Sequence, residues 1–187
     1  KNYPNNLKIA ANLIDDIFEY YDFNKLNQSY IEKLIDILVD LSKNSKANIR
    51  QSATYGLGIF IKLSDINIIY PKYSQNILLS LKSSYDLFFK NKNMSEDLMK
   101  REDGLALDNI TAALGKAIAF KNLDDQNYIN LWIENLPIKY DETEMEENHN
   151  ILCQYILKNN TSNKFSQEHL NKIIKIFHFH PFFGNFN

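Results

Sequence analysis

Residues 49–63, Ile-Arg-Gln-Ser-Ala-Thr-Tyr-Gly-Leu-Gly-Ile-Phe-Ile-Lys-Leu, constrain the fold more than any other stretch of the chain. Thr54, Leu57, Gly58 and Ile61 recur, in the same relative spacing, as Thr111, Leu114, Gly115 and Ile118. Both stretches read as helices with small residues on one face, which lets a neighbouring helix approach closely. A chain that repeats such a helix is expected to be a stack of helical pairs, and stacks of pairs work by offering surface.

The hydrophobic pattern extends that reading over the whole chain. Strand-like alternation is nearly absent, and apolar residues return every three or four positions. Leu7, Ala10, Ala11, Ile14, Ile17 and Phe18 form one stripe, and Tyr30, Ile31, Leu34, Ile35, Leu38 and Leu41 a second. Six more follow, built around Leu57 and Phe60, Leu78 and Leu81, Ile110 and Leu114, Ile129 and Ile133, Leu152 and Ile156, and Ile173 and Phe177. Pro137 stops the sixth helix. Short connections make successive helices antiparallel. The second helices of the pairs start near residues 7, 48, 105 and 143. Two of those intervals, about 38 and about 41 residues, sit near the ~40–47 of HEAT or armadillo units. The longer middle interval is attributed to a solvated loop insertion at about 90–97. The expectation is an all-α HEAT-repeat superhelical solenoid of about four helical hairpins, one segment over residues 1–187.

Composition narrows the function. The hydrophobic share of 44% suits a globular protein, and no apolar run nears the ~18 residues that span a bilayer. Cys153 is the one cysteine, so there is no disulfide framework and no thiolate metal cluster; a reducing compartment is expected. Asn-x-Ser/Thr triplets such as Asn27-Gln28-Ser29 are read as chance in an Asn-rich chain. A net charge of −2, with Lys carrying all the positive charge except at Arg50 and Arg101, argues against a nucleic-acid binder. The chain opens Lys1-Asn2-Tyr3-Pro4 without Met or a leader, and is expected to be a piece of a longer protein whose end helices expose apolar surface. No nucleophile elbow, His-Glu-x-x-His or Walker loop occurs, so no enzyme, cofactor or metal is expected. Gly56 and Gly58 lie inside a helix with no strand before them, which makes them packing residues rather than a phosphate loop.

Ile49-Arg50-Gln51-Ser52-Ala53-Thr54-Tyr55-Gly56-Leu57-Gly58 resembles the C-terminal HEAT repeats of importin-beta family nuclear transport receptors, nearest to the subgroup that imports ribosomal proteins and histones. The likeness starts at Asn12-Leu13-Ile14-Asp15-Asp16-Ile17. It continues through Asp108-Asn109-Ile110-Thr111-Ala112-Ala113-Leu114-Gly115-Lys116, Trp132 with Leu136-Pro137, and Asn150-Ile151-Leu152-Cys153, in order over about residues 8–176. The resemblance implies a carrier shuttling between cytoplasm and nucleus. It would bind protein cargo with basic segments, lodge nucleoporin Phe-Gly repeats between outer helices, and release cargo to the GTPase Ran, bound mainly by repeats outside this segment. A HEAT scaffold subunit of a phosphatase or chromosome-organising complex is the rival, and a regulatory helical domain of a large enzyme a third reading.

Candidate residues follow. Asp15, Asp16 and Glu19 sit on the polar side of the first stripe, and Glu144 and Glu147 crowd the start of the seventh helix. Acidic groups suit a helix start; on an inner surface they would also steer basic cargo. Tyr128 and Trp132 are candidates for a Phe-Gly groove, although core packing also suits Trp132. Arg50 is read as a tie from the inter-helix turn to a neighbouring repeat; Gly115 as a close-packing residue; His149 as core. His178 and His180 make a poor zinc pair, and Phe183-Gly184 alone carries no weight.

Overall fold

The computed structural model describes residues 4–21, 25–65, 70–90, 101–159 and 165–179. The expected insertion beyond Lys90, His180 and the Phe183-Gly184 dipeptide lie outside them. Eight helices follow one another: α1 (Pro4–Tyr20), α2 (Gln28–Leu41), α3 (Ala47–Leu63), α4 (Tyr70–Lys90), α5 (Arg101–Lys121), α6 (Gln126–Asn135), α7 (Glu142–Asn159) and α8 (Gln167–Phe179). Among the described residues there is no strand. The protein is all-α. None of the described helices is long and apolar enough to cross a membrane.

Helix ends are set by local chemistry. Asn27 accepts from the Ser29 N–H at 2.9 Å to start α2, and Asp125 accepts from the Asn127 N–H at 2.9 Å to start α6. Asn122 ends α5 in the left-handed region, φ 53°, and the Leu123 N–H returns to the Ala117 carbonyl.

The packing falls into two layers. Helices α1, α3, α5 and α7 lie side by side in chain order. On their other side, α2 rests on α1 and α3, α4 on α3 and α5, α6 on α5, and α8 beside α6. The starts of α1, α3, α5 and α7, at residues 4, 47, 101 and 142, fall close to the expected 7, 48, 105 and 143. The two central members, α3 and α5, are buried on nearly every side, from Ile49 to Ile61 and from Gly104 to Ile118; such helices lack a polar face because neighbours cover all of them. Their axes approach closely where Gly58 meets Ala113: a Cβ on Gly58 would lie 3.6 Å from the Ala113 Cα. Of the repeated glycines, Gly58 therefore lies on the contact between the two central helices, while Gly115 faces α6 and α7.

The end of the stack differs. Ile9, Leu13 and Tyr20 on α1, and Tyr30 and Ile37 on α2, are 42–79% exposed. On both helices these positions lie away from the side that meets α3 and α4. One flank of the first two helices is thus apolar and uncovered.

Candidate functional site

The four side-by-side helices carry their polar groups in one row. From α1 come Asp15, Asp16 and Glu19; from α3, Tyr55 and Lys62; from α5, Lys116; from α7, Glu144 and Glu147, with Asp141 just before it. Tyr55 sits between the two acidic groups. Burial first, then the charges of Glu19, Glu144, Asp15 and Asp141, push its phenol up to about 12. The structure thus gathers both sequence-predicted clusters around a single ring, with the Lys116 ammonium 5.9 Å from that ring's centre.

Two of the expected surface acids are not on the surface. Asp15 was expected on a solvated helix face, but it is 5% exposed, with its Oδ1 over the Cα of Gly56. A Cβ at Gly56 would lie 2.0 Å from that oxygen and 2.9 Å from Leu38 Cδ1. Oδ1 has no hydrogen-bond partner. Burial, with the neighbouring Asp16 and Glu19 charges adding to it, raises the carboxyl to about 8, so Asp15 is neutral at physiological pH and offers basic cargo no charge. Glu144 is 3% exposed and accepts from Lys116 Nζ at 2.6 Å. Burial outweighs that ammonium and keeps the carboxyl above its ordinary range. Glu147 meets Lys62 at 2.6 Å and Lys116 at 3.4 Å. Burial pushes its carboxyl up, but the Lys62 hydrogen bond and the two lysine charges prevail and hold it low. Glu144 and Glu147 therefore join α3, α5 and α7, while Glu142 and Glu146 stay exposed. Asp16 and Glu19 remain exposed.

Trp132 and Tyr128 part company. Trp132 is fully buried and donates from Nε1 to Asn148 Oδ1 at 3.1 Å, its ring edge-on to Tyr155. Gly115 makes room for this pair, since a Cβ there would lie 2.2 Å from Asn148 Oδ1 and 2.7 Å from Trp132 Nε1. Trp132 is consequently not available to an outer groove. Tyr128 is half-buried on α6, within electrostatic reach of Tyr70 and Lys82 of α4. Further along the α4–α6 gap, the Tyr85 hydroxyl meets the Asn135 side chain. The gap then widens into a cleft of about 360 Å³ lined by Tyr85, Phe88, Phe89, Pro137, Tyr140 and Lys172 among others. Phe89 stacks obliquely on Tyr85 at 4.6 Å and is 38% exposed.

Arg50 is 1% exposed. Its Nη1 donates to the Asn44 and Ser45 carbonyls at 3.0 and 2.9 Å, and Nη2 to Asp103 Oδ1 at 3.2 Å. The α2–α3 turn is thereby tied to the start of α5. His149 is buried, 4% exposed. Among the described residues no three His, Cys, Asp or Glu side chains could hold a metal ion.

One organising residue escaped the sequence reading. Asp108, 5% exposed, accepts from the successive backbone N–H groups of Lys139, Tyr140 and Asp141. Burial still raises its carboxyl, against those three donors. It clamps the α6–α7 turn onto α5, and Gly104 leaves space for the Tyr140 ring. The signal was present: Asp108-Asn109 sits between the apolar Leu105-Ala106-Leu107 and Ile110.

These features define a class, an all-α protein of helices packed in two layers with a largely buried row of polar groups on one of them. No protein family, characterised protein or solved structure was found to match the chain.

Proposed function

We propose that the chain is a HEAT-repeat solenoid segment of an importin-beta type transport receptor, a protein-binding surface rather than an enzyme. The observation that carries this reading is the chain-ordered lateral stacking of α1, α3, α5 and α7 beneath α2, α4, α6 and α8. That geometry shares each apolar flank with the next layer and leaves the flank of α1 and α2 uncovered. It supports the sequence motifs in the positions where the family resemblance expects inner helices.

In this reading α1, α3, α5 and α7 form the cargo side. Charge there comes from Asp16 and Glu19, with Tyr55 offering a face to a cation, while Asp15, Glu144 and Glu147 hold the surface together. Phe-Gly repeats would enter between α4 and α6, and the cleft of Tyr85, Phe88, Phe89 and Pro137 replaces Trp132 as their seat. Tyr128 borders the same gap. The parent protein would shuttle between cytoplasm and nucleus and release cargo to GTP-loaded Ran, with neither membrane nor nucleic acid as a direct partner.

Capture of basic proteins by the full-length parent, with and without GTP-loaded Ran, tests the reading. Cargo lost on adding Ran supports the carrier. Cargo retained equally in both conditions favours the HEAT scaffold of a phosphatase or chromosome-organising complex.

A further inference from the structure

Asp15 occupies an unusual seat. It lies at the contact between α1 and α3, 5% exposed, with its buried oxygen Oδ1 against the bare Cα of Gly56 and without a hydrogen-bond partner. A buried carboxylate without donors is costly, whereas a neutral carboxyl loses only a hydrogen bond. We propose that this seat makes the α1–α3 joint a pH-operated hinge, in which α1 rests on α3 while Asp15 is neutral and swings away when it ionises.

The groups around Oδ1 offer no relief for a charge on it. On its own helix Asp15 faces Asp16 and Glu19, which repel a second negative charge. From α2 it meets the apolar Leu38. From α3 it meets Gly56 and, nearby, the Tyr55 phenol, which stays neutral. The ammonium groups on the same face, Lys62 and Lys116, are held by Glu147 and Glu144. The sign follows from the raised carboxyl. In a detached α1 Asp15 ionises near the ordinary 3.8, and in the docked helix near 8. Docking is therefore strongest below about 3.8, weakens as pH rises from there towards the docked value, and levels off above it, where both states are ionised. Apolar contact, including Phe18 on Phe60 at 5.8 Å, limits the event to local opening rather than global unfolding.

Amide hydrogen exchange of α1, corrected for intrinsic base catalysis and referenced to α5 amides in the same sample, tests the hinge. Between about pH 7 and about pH 9 the wild-type α1 amides should lose protection by about tenfold relative to α5, the factor set mainly by the one pH unit below the docked value, above which the slope ends. Asp15→Asn should hold α1 protection level across that range. Gly56→Ala fills the seat and should leave α1 open at both ends of the range, again without a slope. Unchanged wild-type protection would overturn the hinge, as would a slope that survives in Asp15→Asn. If Asp15→Asn fails to fold, the wild-type slope and its loss in Gly56→Ala still decide.

Discussion

Asp15 and Asp108 are two aspartates of equal burial on two helices of the same layer, and their surroundings differ in almost every other respect. Asp108 receives three consecutive backbone N–H groups from the α6–α7 turn; Asp15 receives none at its buried oxygen. Burial raises both carboxyls, but only Asp108 has donors that oppose the rise. The lesson is that depth alone does not fix what a buried carboxyl does. With donors it locks a turn onto a helix; without them it leaves a joint that answers to pH. The rest of the molecule follows the same division. Around α5 the Lys116–Glu144 pair, the Trp132–Asn148 hydrogen bond and the Arg50–Asp103 tie bind neighbour to neighbour. At α1 the buried Asp15 Oδ1 has no hydrogen-bond partner, and Ile9, Leu13 and Tyr20 are exposed.

The largest effect is expected from the locked side. Asp108→Ala strands three backbone donors and should destabilise by about 3 kcal/mol in chemical denaturation; a loss near zero would mean that the turn finds other partners. Next, Gly115→Ala drives a methyl into Trp132 and Asn148, and should cost about 2 kcal/mol while shifting the emission of the single tryptophan. Asp15→Asn should act in the opposite direction, stabilising by about 1–2 kcal/mol at neutral pH. That gain should shrink as pH falls towards the ordinary carboxylate range, where wild-type Asp15 is protonated in both states. Leu13→Glu should change stability by less than about 0.5 kcal/mol yet reduce any self-association through the α1–α2 flank, read by sedimentation velocity.

Much of the helical layout was legible because burial in paired helices writes a three-to-four periodicity into each of them. The repeated Gly58 and Gly115 announced close approach, and the lone Arg50 at a helix start announced a tie. Tertiary partners were less accessible. Asp15 looks solvated when its helix is drawn alone, since Asn12, Asp16 and Glu19 flank it; its burial depends on the missing side chain of Gly56, a residue of another helix. Glu144 reads as a helix-start acid until Lys116 is brought beside it. The aromatic cleft of Tyr85, Phe88, Phe89 and Pro137 escaped because its residues come from segments far apart in the chain, and only the α4–α6 spacing unites them. Trp132 misled for a related reason: an aromatic stripe does not say which flank Gly115 has opened to receive it.

Site-resolved carbon-13 titration of the aspartate carboxyls compares the two sites directly in one sample. Asp15 should titrate near pH 8, and Asp108 above the ordinary carboxylate range. An Asp15 midpoint near 3.8 would contradict the neutral seat on Gly56, and with it the division between a locked and an unlocked half.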